Sequence, residues 1–232
     1  MMFNKVIDIV IESFSKALNR LLSFHNPMAA SLSEKSDISL NAIKSKKTNS
    51  IISPLAHYYT PYKIDDTEIG DYTYVAANSK LSKTKIGKFC SIGPNIISGY
   101  GIHPTNGLST SPMFYSTLKQ NSFSLTDSDK IQEREIITIG NDVFIGMNVI
   151  ILDGITIGDG AIIGAGSIVS KNIPPYSIAV GSPIVIKKKR FTDNQIEKLL
   201  KIKWWNFEKE KLQDVEKMFF NIDEFIDKYY ID

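Results

Sequence analysis

The sequence predicts a mainly β chain, a parallel solenoid of stacked triangular coils with helical segments at both ends. Three observations lead there: a six-residue aliphatic period, a long break in that period, and amphipathic runs on either side of it.

The period is clearest from residue 139. The chain there divides into "IGNDVF", "IGMNVI", "ILDGIT", "IGDGAI", "IGAGSI" and "VSKNIP". The leading residues, Ile139, Ile145, Ile151, Ile157, Ile163 and Val169, keep their spacing without a slip. Small or β-branched residues recur four positions on, at Val143, Val149, Ala161 and Ser167. Six aliphatics in one frame would arise by chance on the order of once in several thousand. A weaker copy lies upstream, at Ile69, Val75 and Leu81, then Ile86 and Ile92 after one shortened step. A helix needs a period near 3.6 and a flat half-buried strand needs 2. A period of six fits a short strand and a tight turn, repeated. Three repeats close one triangular coil, and stacked coils bury a continuous aliphatic column. The glycines at 140, 146, 158 and 164 are expected to supply turn conformations that a β-carbon would resist.

The remaining elements follow in chain order. "MMFNKVIDIVIESFSKALNRLLSF" places Asp8, Glu12, Lys16 and Arg20 on one helical stripe, opposite Val6, Ile9, Val10, Phe14, Ala17 and Leu21. The run is too short and too interrupted to span a bilayer. It predicts an amphipathic helix over 3–23, packed on protein or making peripheral membrane contact. Residues 1–50 are expected to form an N-terminal helical extension and 51–190 the repeat region. Between Ile92 and Ile139 the period stops. The segment 93–138 holds "GIHPTNGLSTSPMFYS" and then a polar "QNSFSLTDSDKIQERE". Its first half suits an ordered loop and its second half a more mobile one, and insertions of this length are commonly functional. The functional loop is placed at 98–138. The C-terminal part, 191–232, opens with Thr192 or Asp193 as N-cap before "QIEKLLKIKWWNF". A second helix is expected over 207–218 and a third in "NIDEFIDKYY", with capping of the last coil as their role.

Composition narrows the function. A net charge of +2 predicts no nucleic-acid footprint. The single cysteine, Cys90, allows no intrachain disulfide, and a reducing cytoplasm is the default location. Cys90 occupies the small in-coil position of "IGKFCS" and reads as packing. No His/Cys cluster has zinc spacing, so no metal is expected. "GAG" at 164–166 lies inside a repeat, which removes a dinucleotide fold.

The pattern aliphatic-Gly-x-x-small-x resembles the hexapeptide-repeat acyltransferases, which fold as left-handed parallel β-helices. The match runs over about 60–210, through "FCSIGPNIISGYGIHPTNGLSTSPMFYS", "IGNDVFIG" and "IPPYSIAVGSP". It is similar to the branch containing streptogramin and chloramphenicol (xenobiotic) acetyltransferases and sugar O-acetyltransferases. The wording "GIHPT...STSPMFY" is nearer the polysaccharide and sugar enzymes. The resemblance implies a homotrimer with acetyl-CoA along the outside of the β-helix between subunits. It implies His103 as general base, a task suited to a side chain whose ordinary pKa lies near 6.5. It places Met147 through its backbone, Ala165, Ser170, Lys171 and Lys188 at the donor, the two lysines near its phosphates. Val185 is a departure, since sugar enzymes often carry arginine there. For the oxyanion, a backbone N–H from a coil turn is needed, and Gly146 is the candidate. His25 reads as surface and His57 as packing, while Trp204 and Trp205 could border a neighbour's donor groove.

The implied function is acetyl transfer from acetyl-CoA to a hydroxyl or amine of a sugar or sugar-lipid acceptor in surface polysaccharide biosynthesis. The alternatives are inactivation of an antibiotic (a streptogramin or chloramphenicol) and a non-catalytic structural solenoid. A β-helical carbonic anhydrase would need three histidines around zinc, and His25, His57 and His103 are too scattered for that.

Overall fold

A computed structural model of the chain describes residues 45–231. The helix expected over 3–23, His25 and residues 1–44 of the expected extension lie outside them.

The described strands begin at Lys46 and form three sheets of six, five and seven strands, parallel throughout except for the last strand of the third. From Lys46–Thr48 to Ile168–Val169, successive strands visit the first, second and third sheet in strict rotation, and the last two, Ser177–Val180 and Val185–Lys189, both join the third. Lys46–Thr48, Ile51–Ile52 and His57–Tyr58 make the first coil, and Tyr62–Asp65, Glu68–Ile69 and Tyr74–Val75 the second. This is the parallel β-helix that the six-residue period predicts. Pairing runs in register from coil to coil: Ile92 lies beside Ile145 and Ile145 beside Ile163. All the leading aliphatics and all four small in-coil residues are buried. They form one column from Ile64 to Ile184. Burying an Ile or Leu side chain there is worth roughly 1.5–3 kcal/mol.

The glycines do a different job from the one expected. Those following the leading isoleucines have ordinary φ, and they sit where the next coil passes closest. A β-carbon on Gly93 would meet the Gly146 and Met147 backbone at 2.9 Å, and one on Gly158 would meet the Pro175 nitrogen at 2.5 Å. The left-handed conformations fall two residues later, at each corner. Asn78, Asn95, Asn148 and Gly166 turn the corner from the third sheet to the first, all with positive φ. Asn adopts this region more readily than most residues. Tyr72, Phe89, Asp142, Gly160 and Tyr176 do the same between the second and third sheets.

The long insertion leaves after Ile97–Ser98 in the first sheet and returns at Ile137–Ile139 in the second. It occupies one corner of one coil, so the strands on either side keep their partners above and below.

The C-terminal segment carries α1 (Asp193–Ile202), α2 (Lys209–Lys217) and α3 (Ile222–Tyr229). Thr192 caps α1 through a reciprocal box with Gln195. The helices pack beside the corners between the second and third sheets, a departure from simple end-capping. Trp204 meets Phe89 at 5.0 Å, and Phe191 meets Tyr176 at 5.6 Å. Buried Ile184 is the last member of the aliphatic column, and the antiparallel strand Val185–Lys189 adds to the edge of the third sheet. Trp205 is buried among its own chain's cap residues, which removes it from any groove. No helix among the described residues is long and apolar enough to cross a membrane.

Candidate active site

Both halves of the insertion are tied down, contrary to the mobility expected of the second. At its base sits Asp153, whose side chain is 2% exposed. Its Oδ2 accepts the Tyr100 and Gly101 amides at 2.9 and 3.0 Å. Its Oδ1 accepts Arg134 Nε at 3.1 Å and the Glu135 amide at 3.2 Å. One carboxylate therefore holds the outgoing and returning ends of the loop together. Arg134 also donates to Ser82 Oγ at 2.9 Å, and Ile102 N–H donates to the Glu133 carbonyl at 2.8 Å. Burial pushes the Asp153 carboxyl up, but the amide and Arg134 bonds outweigh it and hold the group below the usual carboxylate range. Farther out, Asp129 accepts both the amide and hydroxyl of Thr117, Lys130 N–H donates to the Tyr115 carbonyl, and Ser124 Oγ donates to the Ser116 carbonyl. Nothing in the charge pattern of "QNSFSLTDSDKIQERE" reveals these partners, because they lie across the loop.

His103 projects from this braced segment and is exposed. Its Nδ1 lies 3.1 Å from the Thr110 carbonyl oxygen and 2.7 Å from the Tyr115 hydroxyl. Its Nε2 has no protein partner among the described residues. Tyr115 is buried, and burial followed by the nearby Glu133 charge pushes its phenol up, so the hydroxyl stays protonated at neutral pH. A ring fixed at one nitrogen and open at the other can take a proton from a molecule brought to it.

The other expected site residues fall in two columns. Gly146, Met147 and Ala165 stack at the corner between the third and first sheets. Ser170 and Lys171 lie at the corner between the first and second sheets, the corner from which the His103 loop departs. The first sheet separates the columns within one chain. Lys188 stands on the exposed edge strand, opposite Ile178. Lys171 and Lys188 form no ion pair among the described residues, whereas Lys189 pairs with Asp193.

Gly146 cannot be the oxyanion donor. Its N–H is committed to the Ile163 carbonyl at 2.8 Å, a rung of the coil-to-coil ladder. Cys90 behaves as packing: it is buried, its thiol donates to the Gly140 carbonyl at 3.0 Å, and burial pushes it up to about 12. His57 is not packed inside. It lies exposed on the third sheet's outer face, edge-on to Tyr59 at 4.5 Å. No group of three metal-ligating side chains occurs among the described residues.

The family pattern described as "Bacterial transferase hexapeptide (six repeats)" matches residues 136–171. A chloramphenicol acetyltransferase of Klebsiella aerogenes is 36% identical over 159 residues, spanning 67% of this chain and 73% of that protein. A probable macrolide acetyltransferase of Lysinibacillus sphaericus is 36% identical over 160 residues, spanning 68% of this chain and 86% of that protein. The chain belongs to the hexapeptide-repeat acetyltransferases. The acetyltransferase is thus an enzyme of the acetyl-CoA-dependent acyltransferase class, and its β-helix carries the family's left-handed winding. Among solved structures, a maltose O-acetyltransferase from Clostridium difficile 630 superposes with a TM-score of 0.48 at 25% identity, covering 78% of this acetyltransferase and 86% of that chain.

Proposed function

We propose that this acetyltransferase moves an acetyl group from acetyl-CoA to a hydroxyl or amine of a sugar destined for a surface polysaccharide, with His103 as general base. The observation that carries the reading is an imidazole anchored only at Nδ1, on a loop braced from both ends. Nε2 takes the acceptor's O–H or N–H proton as the acceptor atom bonds to the acetyl carbonyl carbon. The carbon–sulfur bond of the thioester then breaks, and the leaving thiolate receives that proton from the imidazolium. The sum is one ester or amide and one free thiol, with no covalent enzyme intermediate. The oxyanion needs an amide outside the ladder, and the Met147 N–H, which meets no protein acceptor among the described residues, meets that need. Ala165 and Ser170 line the donor, and Lys171 and Lys188 attract its phosphates.

The working unit in this proposal is a homotrimer. The outer face of the third sheet carries Tyr74, Phe144, Ile162 and Ile178, and that of the first carries Ile97, Ile150 and Ile168 in its later coils, after Lys63 and Lys80 in its earlier ones. The second sheet's outer face is mostly polar, with the Lys85–Glu68 ion pair at 2.9 Å, Thr138 and Thr156, and exposed Ile51 at its first strand. Two unlike apolar faces on one protomer suit a head-to-tail contact that closes into a ring. Such a contact would bring the His103 loop of one copy toward the Met147 column of the next.

A second reading has its own support. The relatives named above are a chloramphenicol and a probable macrolide acetyltransferase, which favours an antibiotic acceptor. Release of free thiol from acetyl-CoA, measured across nucleotide sugars, sugar lipids, streptogramins, macrolides and chloramphenicol, separates the two. His103→Ala is expected to lose at least about 100-fold in turnover while still binding the donor. Unchanged turnover would remove His103 from the mechanism.

A further inference from the structure

The two oxygens around His103 Nδ1 make different demands. The Thr110 carbonyl, 3.1 Å away, can only accept, so it requires a proton on Nδ1. The Tyr115 hydroxyl, 2.7 Å away, could accept or donate. If the phenol donated, Nδ1 would be bare, the ring proton would sit on Nε2, and a carbonyl lone pair would face a nitrogen lone pair. Nε2 could then take no proton from an acceptor. If Nδ1 carries the proton, both oxygens accept it in a shared bond and Nε2 keeps its lone pair.

We propose that Tyr115 is a positioning residue for the transfer: together with the Thr110 carbonyl, its phenol oxygen receives Nδ1–H, fixes Nε2 as the basic atom and supports the charge the ring acquires. This rests on the reading of His103 as the base. The phenol is held for the task. The rings of His103 and Tyr115 meet edge to face, 6.2 Å apart at 89°. Tyr115 follows the 3₁₀ turn Pro112–Phe114, its amide donates to the Pro112 carbonyl at 3.2 Å, and its carbonyl accepts from Lys130 N–H at 2.9 Å. Its hydroxyl is therefore carried by a fixed backbone, and the Nδ1–O contact does not depend on a long flexible side chain. The ionisable neighbours are Lys130 and Glu133, and the Glu133 carboxylate is already occupied by Ser116 Oγ and Gln120 Nε2. Neither competes for Nδ1. In the imidazolium both ring nitrogens donate, so a bond to the phenol oxygen strengthens as the acceptor proton arrives. That gain belongs to the transition state and is expected in kcat, with little change in KM.

Nitrogen NMR of the full chain with labelled imidazoles, at a pH where the rings are neutral, tests the proposal directly. The His103 signals are those lost in His103→Ala. The expected wild-type spectrum has a protonated Nδ1 and an unprotonated Nε2. Tyr115→Phe keeps the buried ring and removes only the oxygen. It is expected to lower kcat about tenfold, the scale of one charge-assisted bond, with KM for either substrate changed less than about twofold. It should also raise the share of Nε2-protonated ring. An unprotonated Nδ1 in the wild type would overturn the proposal, as would a Tyr115→Phe variant whose turnover rises or whose turnover and spectrum are both unchanged. If the variant does not fold, the wild-type spectrum still decides. Failure of the base reading looks different: His103→Ala keeps its activity, whatever the tautomer.

Discussion

Replacing Asp153 by Asn is the sharpest probe of how the loop is held. The carboxylate serves four donors, two on each oxygen. An amide offers one oxygen, so whichever pair it serves, its NH₂ faces the other pair donor to donor. If the Arg134 side keeps the oxygen, the Tyr100 and Gly101 bonds are lost. Two bonds to a charged acceptor are worth about 3–6 kcal/mol. Tyr100 and Gly101 are exposed, and water can replace part of that loss, which leaves a net of roughly 2–4 kcal/mol. The loss falls on closure of the loop, since the coil strands on either side keep their pairing. It corresponds to about 30- to 1000-fold more of the open form. Hydrogen exchange at the Ile102 amide, which donates to the Glu133 carbonyl across the loop base, reads that opening. Its exchange should accelerate by at least about 30-fold. The Gly140 and Gly158 amides, in the ladder, should be unchanged. Unaltered protection at Ile102 would show that Asp153 is not what binds the loop ends.

Acid should produce the same opening in the wild type. Asp153 is held below the ordinary 3.8, so its contribution is complete above that value and is lost as pH falls through the lower folded one. Loop protection should accordingly be flat from about pH 5 to 7 and collapse below 3.8, ahead of the coil amides; loss of protection above pH 5 would contradict this. Two glycine substitutions separate close approach from turn geometry. Gly158→Ala drives a β-carbon into the rigid Pro175 ring and should cost about 2–4 kcal/mol in urea unfolding. Gly166→Ala has nothing within 4 Å and bears only its left-handed φ of +71, for about 1–2 kcal/mol. The reverse order would refute this division of labour.

The sequence announces the column plainly, because each coil buries the same two positions and Ile139 through Val169 cannot slip without exposing all of them. His103 stands out for a related reason: it is a titratable side chain in a segment where the period stops. What sequence spacing cannot convey is which backbone groups are already spent. Gly146 has the spacing of a free turn amide, yet its N–H is spent on the Ile163 carbonyl. In sequence, a glycine needed for a turn and one needed for close coil-to-coil approach leave the same mark, a missing side chain. Asp153 belongs to a repeat, "ILDGIT", and gives no sign of its partners at 100, 101, 134 and 135. Tyr115 is one aromatic among several in "SPMFYS", and only the folded loop sets it against the imidazole.

The insertion begins and finishes at one vertex of one triangle. A replacement segment of another length would therefore leave the register of the prism intact, and doubling it would add only about 0.6 kcal/mol of closure entropy. Under the mechanism proposed above, selection can thus rewrite what the enzyme acetylates by exchanging a single stretch between Ser98 and Ile137, while the coil corners proposed for the donor go on unchanged.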